Sequence, residues 1–171
     1  MSDSGIRIRP ARLLDAAGIA EVHVASWQET YRGIMPQRFL DARTVKDRTT
    51  LWELSLSGLG QGRVVLVAEE DGGIVGFASG GPARVADFGP GGEIYALYVL
   101  KRCQGRGVGR ALFKDCRDAL RQAGMGRLTL SVLRANPARG FYMKMGGQPA
   151  GQGEIVRGGQ LLAEERFLWE G

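Results

Sequence analysis

Gln104-Gly105-Arg106-Gly107-Val108-Gly109-Arg110 joins a strand-like segment directly to the clearest helical pattern of the chain. Glycines at 105, 107 and 109 let the backbone curl until several N–H groups point one way, and they put no side chain in the path of a close approach. The N-terminus of the helix that follows adds partial positive charge, so the segment reads as a phosphate cradle. Two other phosphate loops fail on spacing. No Lys-Ser or Lys-Thr follows the glycines, as a Walker loop requires. A dinucleotide fingerprint needs Gly or Ala three residues after its second glycine, but Arg110 follows Gly107 and Leu112 follows Gly109. Only about 60 residues remain downstream, too few for half of a doubly wound sheet. The pattern that fits is Gln or Arg, two free positions, Gly, one free position, then Gly or Ala, matched by Gln104, Gly107 and Gly109. A structural turn with no ligand is the competing reading of that pattern.

Working outward, Glu93–Val99 is a strand that enters the turn, and Val108, Ala111, Leu112, Cys116, Ala119, Leu120 and Ala123 recur at helical spacing after it, with Gly124 as a C-terminal glycine. Leu128–Val132 is a further strand. Asn136-Pro137 opens a short helix, with Asn as N-cap and Pro at its first position, and Gly146-Gly147 closes it. Upstream, the apolar runs Val64–Ala68 and Ile74–Ala78 flank Asp71-Gly72-Gly73, a strong hairpin signal. Ile6–Arg9 alternates as an edge strand ended by Pro10; helices are expected from Asp15, as N-cap, to about Trp27 and from about Thr44 to Leu56. Ile155-Val156 and Leu161-Leu162 bracket a terminal hairpin at Arg157-Gly158-Gly159-Gln160. This order of elements argues an α+β chain with a mixed sheet. No linker or repeat interrupts it, so residues 1–171 are expected to form a single domain.

The formal net charge is +5, and seven basic residues between Lys101 and Arg121 outnumber Asp115 and Asp118 there, which calls for an anionic partner or simply a solvated helix face. A basic nucleic-acid-binding module is a third reading, but no stacking platform or helix-turn-helix accompanies the charge, and no nucleic acid is expected. No apolar run reaches membrane-spanning length and the N-terminus lacks the pattern of a secretory signal; a cytoplasmic protein without a membrane partner is expected. Cys103 and Cys116 read as free thiols. One histidine, His23, and two separated cysteines make no metal-ligand set. His23 itself reads as structural or as a surface residue.

Several segments together resemble the GCN5-related N-acetyltransferase superfamily: the Glu93–Val99 strand, the Gln104–Arg110 turn at the family's spacing, the next strand at Leu128–Val132, and the Asn136-to-Gly147 stretch with its Asn, Tyr and Gly. The likeness is specific from about residue 63 to 147; outside that range only the order of elements agrees. It implies an acyl-CoA N-acyltransferase fold, a mostly antiparallel sheet of about 6–7 strands flanked by about 4 helices and splayed between strands four and five. It also implies direct transfer of an acetyl group from acetyl-CoA to an amine in a ternary complex. A non-catalytic CoA-binding sensor is the rival, and a homodimer is left open.

Residue by residue, the resemblance places the pantetheine arm against the main chain of Leu97, Tyr98 and Val99, with the Val99 N–H polarising the thioester carbonyl. It places the pyrophosphate on the amides of Gly105, Arg106, Gly107, Val108, Gly109 and Arg110. Lys101, Arg102 or Arg106 would meet the ribose phosphate. Glu93, eleven residues before Gln104, matches the general base of the histone-acetyltransferase branch, against the alternative of a solvated strand-end carboxylate. Tyr142 matches the proton donor to the leaving thiolate. Asn136 matches the CoA-contacting asparagine, though it stands six residues before Tyr142 where seven is commoner. Trp27, Tyr31 and Met35 cluster where the family builds its acceptor site, with core packing as the alternative; Trp27 and Tyr31 are the candidate substrate residues. The acceptor itself is not legible.

Overall fold

A computed structural model describes residues 5–84 and 89–171. Its centre is one seven-stranded sheet made of β1 (Ile6–Pro10), β2 (Val64–Glu70), β3 (Gly73–Pro82), β4 (Gly92–Val99), β5 (Leu128–Leu133), β6 (Gln148–Arg157) and β7 (Gln160–Trp169). The order across the sheet is β1-β2-β3-β4-β5-β7-β6, with β4 and β5 parallel and every other pair antiparallel. Five α-helices among the described residues accompany it: α1 (Ala16–Tyr31), α2 (Gln37–Asp41), α3 (Val45–Ser57), α4 (Val108–Gln122) and α5 (Arg139–Lys144). None of the described helices is long and apolar enough to cross a membrane.

The sequence explains why both faces of the sheet are covered. Alternate residues of β2 point opposite ways. Val65 and Val67 pack with Ile19 and Val22 of α1 and with Phe77, while Leu66 and Ala68 pack with Leu112, Cys116 and Leu120 of α4. A strand buried on both faces reads as an unbroken apolar run, which is what Val64–Ala68 shows. Both cysteines are free and buried in the core on the α4 side. At the end of α4, Gly124 N–H donates to Arg121 C=O and Met125 N–H to Leu120 C=O, the paired bonds of a Schellman stop.

Three local expectations are revised. Asp15 does not cap α1 through its side chain. Its carboxylate instead accepts the Arg12 N–H across a 3-10 turn, Leu13–Asp15, and grips Arg9 of β1 at 2.7 Å. The short α2 was not foreseen, since five residues carry too little periodicity to be seen. The terminal hairpin is also much longer than its apolar dipeptides suggest, because β6 is an edge strand, largely exposed, with little apolar signal along it.

The feature that positions the site is a parting of β4 from β5. They pair only at Gly92 with Leu128 and Glu93 with Thr129. Just beyond, the β3 register skips Tyr95, so that Ser79 faces Ala96 and Gly80 faces Ile94. An extra residue on one strand bends it and sharpens its twist. The bulge therefore turns the second half of β4 away from β5, which keeps pairing with β7 along its whole length.

Candidate functional site

A cleft of about 890 Å3 opens where the two strands part. One wall is the free edge of β4. Leu100 N–H donates to Val75 C=O, and Val99 lies opposite Gly76. In an antiparallel ladder this makes Val99 and Gly76 a non-hydrogen-bonded pair, whose N–H and C=O groups face away from each other. The same holds two residues earlier for Leu97 opposite Ala78. The main-chain groups of Leu97 and Val99 thus face the cleft, with no β5 ladder to occupy them. The Gln104 side chain donates to the Val99 C=O at 3.1 Å, tying the glycine turn to the strand end. Gln104 is therefore a brace between the two parts of the site.

The turn lies at the end of this edge. Gly105 and Gly107 have φ of 75° and 82°, left-handed values that favour glycine. Gly107 is the residue on which α4 begins. It lines the cleft where the 15-residue helix starts, and an added Cβ there would meet nothing within 4 Å. Gly109 serves differently, with a helical backbone and its missing side chain facing Phe141. Lys101 and Arg110 are exposed at this end and line the cleft.

The opposite wall comes from β5, α5 and the end of α1. Tyr142 is 5% exposed and lines the cleft. Burial, with Tyr31 nearby, raises its pKa well above the ordinary tyrosine range, so the hydroxyl is protonated at any working pH. Tyr31 and Tyr98 set their hydroxyls 3.4 Å apart, and burial raises both of their pKa values. Asn136 donates from Nδ2 to the Tyr31 hydroxyl at 3.2 Å, which leaves the Tyr31 proton free to be donated. Asn136 is thus a bridge to α1 and not the helix cap expected. Its Oδ1 accepts the Ala138 N–H in a tight turn, and α5 starts only at Arg139.

Of the residues singled out in the sequence, Trp27, Tyr31, Leu97, Tyr98, Val99, Gln104, Gly105, Gly107, Gly109, Arg110, Asn136 and Tyr142 line one cleft. Three do not. Val108 is buried in the core and can offer only its amide. The Arg106 guanidinium sits on Glu70 at 2.6 Å, and Arg102 lies 3.6 Å from the same carboxylate, so two of the three candidate ribose-phosphate contacts already share an acidic partner. Glu93 is neither solvated nor in the cleft. It is 3% exposed, and Arg84 holds it through its backbone N–H at 2.8 Å and its guanidinium at 2.7 Å. Arg84 in turn lies over the Tyr95 ring at 4.2 Å and lines the cleft rim. His23 is structural. It accepts from the Trp52 indole at 3.2 Å and stacks on Tyr98, and burial lowers its pKa to about 4.

Sequence reading missed Arg157 and Glu164, which enter the cleft from the terminal hairpin. The hairpin itself was legible, but the face each strand presents was not, because Ile155-Val156 and Leu161-Leu162 do not alternate with polar residues.

A model of the acetyltransferase (GNAT) family matches residues 23–147. The chain is 34% identical over 165 residues to the N-acetyltransferase YuaI of Bacillus subtilis, named as uncharacterized, covering 96% of this chain and 92% of that one. It is 30% identical to a probable N-acetyltransferase of Mycobacterium tuberculosis, Rv2775, over 84% of this chain and 80% of that one. Among solved structures, a putative acetyltransferase of Salmonella typhimurium, YncA, determined with its cofactor acetyl-CoA, superposes with a TM-score of 0.74 at 25% identity, covering 97% of this chain and 94% of that one.

Proposed function

The chain belongs to the acetyltransferase (GNAT) family, and from that premise we propose that it transfers the acetyl group of acetyl-CoA to an amine by direct attack in a ternary complex. The observation that carries this is the freed β4 edge running straight into the glycine turn: an extended chain of amide-bearing ligand can add beside Leu97–Val99 as an extra strand, and its phosphates then reach the amides of Gly105–Arg110. Acetyl-CoA is the donor with that shape. In this reading the Val99 N–H faces the thioester carbonyl and stabilises negative charge as the amine attacks. Lys101 and Arg110 receive phosphate charge from the rim. Since Arg106 and Arg102 are engaged by Glu70, they shape the turn and do not reach into the cleft.

Tyr142 faces the leaving sulfur. Its raised pKa keeps the hydroxyl protonated, and by donating a hydrogen bond it steadies the departing thiolate as the C–S bond breaks. Glu93 is not the base in this reading. A carboxylate already taking three hydrogen bonds from Arg84 and lying outside the cleft anchors the rim instead. All described strands join one sheet, which supports treating the chain as one catalytic unit.

The test is calorimetric titration with acetyl-CoA. Micromolar or tighter binding is expected for the wild type, and its loss in a folded Gly107→Glu protein, where a carboxylate would stand on the cradle. Unchanged binding in that variant would sink the assignment.

A further inference from the structure

The far end of the cleft holds two opposite charges that form no ion pair among the described residues. Arg157 closes β6 and Glu164 lies in β7, and both line the cleft. Among the described residues neither forms an ion pair, with each other or with any third group; Arg157 donates only to the neighbouring Val156 carbonyl. Other charged groups of the lining have work elsewhere. Arg84 sits on Glu93, Glu29 accepts the Lys101 N–H, and Lys101 and Arg110 stand at the glycine turn. Such a pair on one wall of a cleft offers a counter-charge to each end of a ligand that carries both signs.

The hairpin register sets the two on the same side. Ile155 lies opposite Leu162 and Gly153 opposite Glu164, so with a two-residue period Ile155, Arg157, Leu162 and Glu164 share one face of the sheet. That face meets Tyr31, Met35 and Leu40 in a small apolar cluster, with Trp27 and Phe39 at its edge. Both charges also act on the Tyr31 hydroxyl, Glu164 to hold its proton and Arg157 to draw it off.

This end is also roofed. Gly158, at φ 57°, rests on α2 so closely that a Cβ there would come within 2.9 Å of Phe39 Cβ, and Arg38 donates to the Gly158 C=O at 3.3 Å. The contact fixes the residue next to it, Arg157.

We propose that the acceptor is a free apolar amino acid, whose carboxylate is taken by Arg157, whose α-ammonium is taken by Glu164, and whose side chain lies against Trp27, Met35 and Ile155. The assignment rests on the acetyl-CoA reading above. The Glu164 carboxylate accepts one proton from the ammonium and later releases it to water. The free amine attacks the thioester carbon, the C–N bond forms and the C–S bond breaks. The second proton lost by nitrogen ends on the CoA sulfur, so one proton is released to solution per turnover.

The experiment measures CoA thiol release with L-phenylalanine, L-methionine, 2-phenylethylamine, spermidine and a lysine peptide with a blocked N-terminus. A charge-assisted hydrogen bond contributes about 10- to 100-fold in kcat/KM, so L-phenylalanine is expected to exceed 2-phenylethylamine by that factor. Arg157→Gln should erase the preference, chiefly through KM for the amino acid, and Arg157→Lys should restore part of it. Glu164→Gln should lower turnover of both substrates. Thermal unfolding confirms that each variant is folded. Preference for spermidine or the peptide, or an Arg157→Gln protein that keeps the wild-type ratio, would overturn the proposal. Acetyl-CoA titration run alongside separates the two readings. Tight binding without turnover of any amino acid overturns the acceptor alone, whereas no binding overturns the cofactor reading and the acceptor with it.

Discussion

Gly107→Ala and Gly109→Ala are expected to move stability in opposite directions although the two glycines stand in one motif. Gly107 has φ 82° and ψ 4°, and an added Cβ would meet nothing within 4 Å. The cost is therefore torsional alone, about 1–2 kcal/mol for an L-residue in the left-handed region. Gly109 is the second residue of α4, with helical backbone, and its Cβ would touch the Phe141 ring at 3.6 Å, an ordinary contact. Alanine there gains helix propensity, up to about 1 kcal/mol and less so near a helix end. For a chain of this size each kcal/mol moves Tm by about 2–4 °C. Thermal unfolding followed by circular dichroism should then show Gly107→Ala lower by about 2–8 °C, and Gly109→Ala unchanged or higher by up to about 4 °C. Acetyl-CoA titration adds a second readout. Both glycines line the cleft, so affinity should fall in both proteins, and the more stable variant is not the better binder. Equal destabilisation by the two substitutions would refute the division of labour between torsion at 107 and clearance at 109.

Two further outcomes follow from the same structure. Tyr142→Phe removes only the hydroxyl, so acetyl-CoA affinity should hold while single-turnover acetyl transfer falls about 10²-fold or more; an unchanged rate where chemistry limits would remove Tyr142 from the mechanism. His23, with its pKa lowered from 6.5 to about 4, binds its proton more readily in the unfolded chain. Stability is then fully present above about pH 6.5 and is lost as pH falls towards 4, by up to about 3 kcal/mol. Urea midpoints at pH 7 and 4.5 should show that loss in the wild type and a smaller one in His23→Gln. Equal losses would assign the acid sensitivity to other groups.

What the sequence determined by itself was local. The glycine turn, the helix after it and the Asp71-Gly72 hairpin are written in spacing and in torsions that few residues adopt, and both Asp71 and Gly72 do take positive φ, 51° and 81°. The apolar runs on either side of that turn marked the two strands of the hairpin, β2 and β3. From these, together with the resemblance they carry, the fold and the cofactor end of the cleft were readable. The other end was decided only by tertiary structure. Glu93 could not be told from a free carboxylate until Arg84, nine residues earlier in the chain, was seen to hold it. Asn136 looked like a helix cap until it was found reaching Tyr31, 105 residues earlier in the chain. Arg157 and Glu164 sit in a hairpin whose faces the sequence does not mark, and their lack of an ion-pair partner among the described residues is a property of everything packed around them. Local pattern specifies torsion angles and periodic faces; which charges meet, and which are left unmet, depends on how distant elements pack together.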